Sequence, residues 1–383
     1  MPSPYEDREQ TEVKHRILER YLEAFIPIVG DWANDITYID CLAGPWESVD
    51  PVLADTSFAR AIKVIRSTRQ VLSERGKHPS LRCLLIENNP SRFQQLEQYS
   101  KDVTDVEVCA RNWDFMDHVQ DVVRFAREGG KGSFPFVFID PTGWKPLQID
   151  VISPILHLNP GEVLINLMTS WMKRFLSDES KQWNRLVGSD LASLLSLEGD
   201  AREDQLVSSY ASNVRRTGAF QYVCSMPVMK ADQDTFHYHV IYGTRHPKGV
   251  EVFKKTEEYV IPFMHEVRAQ AQQRRKFAQD GQYSFLGPQA FYRETRFSRF
   301  RTKNLELARA EVRTLLESRR TVGYDDAWLT AMQYSTVTES DIRDWLNDWR
   351  SQGMLEIKNL PPKSRVPRRG YGVDLEWNLA KHA

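Results

Sequence analysis

Val13, Ile17, Leu18, Tyr21, Leu22 and Phe25 fall on one face of a helix and predict an amphipathic opening segment over residues 11–26. Short apolar runs of strand length follow at Ile36–Cys41, Leu81–Glu87, Val106–Cys109, Phe134–Asp140 and Val163–Leu167. Between them, helical spacing predicts Thr56–Leu72, Pro90–Tyr99, Phe115–Arg127 and Leu147–Leu156. Strands that alternate with helices imply βα units, a parallel sheet and right-handed crossovers. Phe136-Val-Phe-Ile139 is apolar at every position, as a parallel strand covered on both faces must be. A helical insertion is expected over about 170–200, anchored by Trp171, Phe175 and Trp183. Phe220–Val228 and Thr235–Thr244, joined through Ala231-Asp-Gln-Asp234, read as an antiparallel pair closing the sheet. A long charged helix then spans about 249–277, with Pro262 expected to kink or split it.

The pattern changes after residue 280. Residues 281–304 read as a basic, aromatic linker, and 305–383 as a separate domain. There, one helix ends near Arg320 and a second spans about Tyr324–Gln333. A third opens with the capping box Thr338-Glu-Ser-Asp341 and carries Ile342, Trp345, Leu346 and Trp349 on one face. Met354–Lys358 and Gly372–Trp377 read as strands flanking a basic tip. Three helices and a β-ribbon in that order predict a winged helix-turn-helix module. The expected fold is therefore a Rossmann-like α/β domain over 1–280, its sheet mostly parallel with an antiparallel last strand, followed by a winged helix.

Composition adds exclusions. Apolar residues make up 41% and charged residues 27%, which is globular usage. No run approaches the roughly eighteen apolar residues of a membrane span, so no membrane is expected. Met1-Pro-Ser-Pro-Tyr-Glu-Asp lacks the basic and apolar regions of a secretory signal. Cys41, Cys83, Cys109 and Cys224 are widely spaced, without the pairing of a zinc ribbon, and fit free thiols in a reducing cytoplasm. The net charge of −1 hides an asymmetry: from Phe285 onward there are 17 Lys and Arg against 13 Asp and Glu, a net of +4. The preceding 284 residues therefore carry −5.

The candidate chemistry lies at strand ends. The first strand leads through Asp40 into Ala43-Gly44, a turn of the kind that grips a nucleoside cofactor, where glycine lets the backbone approach the ligand. Glu87, after the second strand, either accepts hydrogen bonds from both ribose hydroxyls or complements the dipole of the following helix. Asp114, after the third, either reaches an adenine amino group beside Trp113 or caps a helix from Phe115. The fourth strand ends Asp140-Pro141-Thr142-Gly143-Trp144, where proline fixes the turn and presents the Asp140 carboxylate at the crevice. Four such turns at the carboxyl ends of consecutive strands share one edge of the sheet, the ligand edge of open α/β folds. Their order corresponds to the first four motifs of class I S-adenosylmethionine-dependent methyltransferases.

Several segments resemble the three-Cys-motif partner protein (TcmP) family. They are Lys14-His-Arg-Ile-Leu-Glu-Arg-Tyr-Leu-Glu-Ala-Phe, Tyr38-Ile-Asp-Cys-Leu-Ala-Gly-Pro, Leu85-Ile-Glu-Asn-Asn-Pro, Phe136-Val-Phe-Ile-Asp-Pro-Thr-Gly, Glu162-Val-Leu-Ile-Asn-Leu-Met and Tyr242-Gly-Thr-Arg-His-Pro-Lys-Gly. The resemblance covers about residues 11–260 and implies a methyltransferase-type fold with S-adenosylmethionine as cofactor. It also implies a three-Cys-motif partner of radical or iron–sulfur type. Trp46 and Thr142 stand where the family has glycine and phenylalanine. In amino-group methyltransferases with a related motif, the Asp and the carbonyl after it hold an exocyclic amine while an aromatic ring stacks on the base. Carried over, the catalytic set is Asp140, Pro141 and Trp144, the last supplying the ring that Thr142 lacks.

For nucleic acid, DNA or RNA, Arg293, Arg296, Arg299 and Arg301 interleave with Tyr292, Phe297 and Phe300, a pattern that suits phosphate contact and base stacking or, equally, docking of the aromatics onto a domain. Lys363, Arg365, Arg368 and Arg369 make an acid-free tip. The third helix is too acidic for deep groove reading, with Glu339, Asp341, Asp344 and Asp348 against Arg343 and Arg350. His237 and His239 share a strand face without a third ligand and read as structural; no metal site is expected. Two readings follow: a methyltransferase acting on a base amino group, or a non-catalytic scaffold that keeps the fold and binds nucleic acid.

Overall fold

The computed structural model describes residues 5–45, 48–175, 180–188, 191–280 and 295–378. The chain divides into two compact units, Met1–Val223 with Pro227–Arg293, and Cys224–Met226 with Glu294–Ala383.

In the first unit, α1 (Glu9–Gly30) leads into β1 (Asp35–Asp40), α2 (Ser57–Glu74), β2 (Ser80–Ile86), α3 (Pro90–Asp102), β3 (Glu107–Arg111), α4 (Val119–Arg127), β4 (Ser133–Ile139), α5 (Ile149–Leu156) and β5 (Glu162–Leu167). The helices α6 (Thr169–Phe175), α7 (Ser180–Val187), α8 (Leu191–Leu195) and α9 (Gly199–Arg216) follow, then β6 (Tyr222–Met229), β7 (Phe236–Thr244) and α10 (Pro247–Asp280). Seven strands form one sheet in the order β3-β2-β1-β4-β5-β7-β6. β1 to β5 pair in parallel, and β7 runs antiparallel to β5. The order reverses between β1 and β4, which places the crevice of such folds at their carboxyl ends.

Strand alternation divides the sheet into two apolar faces. Ile39, Leu84, Val137 and Ile165 pack with Val122, Ile152, Trp183, Leu206 and Tyr210, so α4, α5, α7 and α9 cover one face. On the other, Tyr21 of α1 stacks 5.2 Å from Phe136, and Phe136 lies 6.4 Å from Tyr38. α10 is continuous through Pro262, so the helix is not split there. Proline removes one ladder hydrogen bond, and burial of Val260, Met264 and Val267 around it holds the helix together.

The second unit contains α11 (Thr295–Arg319), β8 (Thr321–Gly323), α12 (Tyr324–Met332), α13 (Glu339–Ser351), β9 (Leu355–Lys358) and β10 (Asp374–Trp377). The strand β8 was not expected; it joins the ribbon to give an antiparallel sheet ordered β8-β10-β9. The linker assignment needs correction as well. Residues 295–304 are the first turns of α11, because Phe297 and Phe300 continue the buried stripe of Ala308, Val312 and Leu316. Residues 281–294, including Arg293, lie outside the described residues.

Candidate functional site

The β1 turn is stitched to both neighbouring strands: Cys41 N donates to Phe138 O at 3.0 Å, and Ala43 N to Ile86 O at 2.7 Å. Asn112, after β3, donates its amide to Glu87 O at 2.8 Å and Asn88 O at 3.1 Å, tying the β2 and β3 turns together. Between these turns and the loop after β4 lies a cleft of about 470 Å³, within the size range of small-molecule sites. Glu87, Asp114, Asp140, Pro141 and Trp144 line it, with Cys41, Leu42, Trp113 and Trp171. Glu87 is 4% exposed. Its Oε1 accepts from Asn89 N at 2.6 Å, leaving the other oxygen without a hydrogen-bond partner among the described residues.

A second cavity of about 290 Å³ adjoins the cleft, and the two share Leu42, Asp140, Pro141 and Thr142. Gly44 lines this cavity and not the cleft, so it does not share a wall with Glu87 and Asp114, as a common cofactor crevice would require. α1 contributes Lys14, whose ammonium lies 2.5 Å from Asp140 Oδ2. Asn166 of β5 donates its amide to Asp140 Oδ1 at 2.6 Å. Arg8 pairs with Asp55 at 2.8 Å beside them. Lys14 and Asn166 lie in segments that carry the family resemblance, but neither was assigned to the site from sequence. They reach Asp140 from 126 and 26 residues away, contacts that periodicity cannot report.

Asp40 lines neither cavity. It is fully buried, accepting from Ser57 Oγ at 2.8 Å, Tyr38 OH at 3.2 Å and Leu42 N at 3.3 Å. Burial pushes its carboxyl up to about 6; the Asp140 charge adds to this, and the Ser57 hydrogen bond opposes it. Asp114 does not cap a helix at Phe115, since α4 starts at Val119. Its Oδ1 instead holds the intervening turn by accepting from Met116 N at 2.9 Å. Trp144 is 3% exposed and stacks on Trp183 at 4.8 Å, so the ring expected to meet a base is already packed. Trp171, noted in sequence only as an anchor, lines the cleft half-buried. His237 lines the second cavity, where burial and the charges of Lys230 and Lys14 push its pKa down to about 4 and keep it neutral. Trp46 lies outside the described residues.

The basic residues of the second unit separate into three groups. Arg296 is 2% exposed and Arg301 is paired with Asp341 at 2.8 Å, so neither is placed to meet a phosphate. Arg299 lies on an exposed face of α11. Lys363, Arg365 and Arg368 are exposed on the loop between β9 and β10, whereas Arg369 lies 4.2 Å from the Trp328 ring. Arg301 and Arg309 of α11 engage Asp341 and Asp348, which offsets much of the acidity read in α13.

No protein-family model and no curated protein matches the chain. Solved structures resemble it weakly. Protein LPL1258 of Legionella pneumophila str. Philadelphia 1 is 11% identical over 66% of this chain and 91% of its own, with a TM-score of 0.36. The O-methyltransferase TomG of Streptomyces achromogenes is 11% identical over 60% and 79%, with a TM-score of 0.31. An O-methyltransferase of Bacillus cereus is 14% identical over 59% and 80%, with a TM-score of 0.30. At scores this low the strand order itself defines the fold, and that order is class I methyltransferase-like. Among the described residues, no helix is long and apolar enough to cross a membrane.

Proposed function

We propose that this protein is an S-adenosylmethionine-dependent methyltransferase whose acceptor is an amino group of a nucleic-acid base. The observation that carries the reading is the meeting of two ligand-sized cavities at Asp140-Pro141-Thr142, on the ligand edge of the sheet. S-adenosylmethionine fits the larger cleft. Glu87, with one oxygen not engaged by Asn89, would accept from the ribose hydroxyls, and Asp114, which lines the same cleft, would reach the adenine amino group. When bound, the cofactor supplies an electrophilic methyl group. The chain's own residues position the acceptor at Asp140 and exclude water, and positioning supplies most of the acceleration.

The second unit, in its α-β-α-α-β-β order, is read as a winged helix, with Lys363, Arg365, Arg368 and Arg299 as phosphate contacts. The motifs shared with the three-Cys-motif partner protein family support a partner of iron–sulfur or radical type and a cytoplasmic setting. A second reading, a scaffold without turnover, is favoured by one feature. Both Asp140 oxygens are already engaged, by Lys14 and Asn166, and no free ring stands on the Asp-Pro-Thr-Gly loop.

Calorimetry separates the two. Saturable S-adenosylmethionine binding is expected, weakened about ten- to hundredfold by Glu87→Ala, as unpaired buried hydroxyl contacts cost about 1–3 kcal/mol. Absence of heat at millimolar cofactor removes the methyltransferase reading and leaves the scaffold.

A further inference from the structure

A further cavity, of about 400 Å³, opens on the opposite edge of the first unit's sheet. Phe134 stands at the start of β4, Glu162 at the start of β5 and Thr244 at the end of the antiparallel β7, and all three line it. At about 3.3 Å per residue, the six residues of β5 set this edge roughly 16 Å from the one that carries the cleft. One wall is a row of rings. Tyr21 and Phe25 of α1 stack 5.7 Å apart, Phe25 meets Phe134 edge-on at 5.3 Å, and Phe134 meets Trp32 edge-on at 5.7 Å. Tyr21, Phe25 and Phe134 are buried, whereas Trp32 is 57% exposed. The exposed indole is thus the outer end of a continuous apolar wall, not a lone surface residue. A hollow of this volume with aromatic walls is the usual form of a small-molecule site.

The charges around it are already matched. Glu162 is 7% exposed, and it accepts from Tyr21 OH at 2.5 Å and Thr244 Oγ1 at 2.7 Å. Arg245 is fixed by donating to Gly161 O at 2.9 Å and Leu156 O at 2.8 Å, close enough to Glu162 for the two charges to act on each other. The Lys248 ammonium pairs with Glu251 at 3.1 Å. A cation entering here meets Arg245, an anion meets Glu162, and neither finds a free counter-charge to repay its lost hydration.

We propose that this cavity is a second ligand site, separate from the methyltransferase cleft, that takes an uncharged planar aromatic molecule of one or two rings, stacked on Trp32 and Phe25. Three indoles that differ only in charge test it by calorimetry of the full chain near neutral pH: indole, tryptamine and indole-3-acetate. Saturable binding of indole is expected, with both charged analogues at least about tenfold weaker. Trp32→Ala removes an exposed ring and is expected to weaken indole about tenfold. Ile28→Trp, at a half-buried lining position, fills the cavity and is expected to abolish binding. No heat at about 5 mM indole, a charged analogue that binds as tightly, or an affinity unaltered in Trp32→Ala each overturns the proposal. If circular dichroism shows Ile28→Trp unfolded, Trp32→Ala and the charge series decide.

Discussion

Asp40 is a carboxylate with no access to water, at the end of the strand where the site begins. Its three hydrogen bonds do not offset the loss of solvent, so its folded pKa of about 6 lies above the roughly 3.9 of an unfolded aspartate. A carboxyl raised on folding stabilises the fold fully below the unfolded value, and that contribution is lost as pH rises through the folded one. Between about pH 4 and 6, ionising Asp40 therefore costs the native state up to about 3 kcal/mol. Asp40→Asn keeps the shape and removes the charge. Its melting temperature should match wild type near pH 4 and exceed it at pH 7.5, with the gain opening across pH 4–6. An unchanged difference across that range contradicts the assignment. At this scale the sequence was half legible: Asp140, Glu87 and Asp114 reach the cleft, but nothing in a linear pattern tells a buried strand-end acid such as Asp40 from one that meets a ligand.

Elements were more legible than residues, because periodicity reports burial directly. All seven expected strands of the first unit form within two residues of their expected bounds, from Asp35–Asp40 to Phe236–Thr244. The largest miss is the start of α11, where arginine density masks a buried stripe that begins at Phe297. That helix also reinforces the beginning of α13. Thr338 caps α13 and Asp341 completes the capping box, while Arg301 donates to Asp341 at 2.8 Å and to Thr336 O at 2.5 Å. Thr338→Ala should cost about 1 kcal/mol, the usual value of an N-cap. Asp341→Ala should cost more, since it removes the return bond to Thr338 and strands the Arg301 charge. Urea unfolding followed through the fluorescence of Trp345 and Trp349 checks the ranking, and equal costs for the two variants refute the coupling.

On the scale of the whole molecule, a net charge of −1 conceals a second unit that carries the basic surplus. The exposed part of that surplus is narrower than the sequence implied. Arg296 is buried, Arg301 and Arg309 are bound to α13, and Arg369 lies against Trp328. Lys363, Arg365 and Arg368 remain exposed together on one loop, with Arg299 exposed on α11. Three or four phosphate contacts without a base-reading helix give weak binding that follows counterion release: affinity indifferent to sequence and steeply dependent on salt. Each phosphate neutralised contributes about 0.9 to the slope of log affinity against log salt on duplex DNA, and about 0.7 on single strands. Replacing Lys363, Arg365 and Arg368 together with alanine should therefore flatten the slope by about two to three units, more on a duplex than on a single strand. Fluorescence anisotropy with two unrelated oligonucleotides over a range of salt measures both properties. A slope unaltered in the triple variant takes the loop out of nucleic-acid contact. Binding that distinguishes the two sequences and ignores salt rules out the phosphate-dominated mode itself.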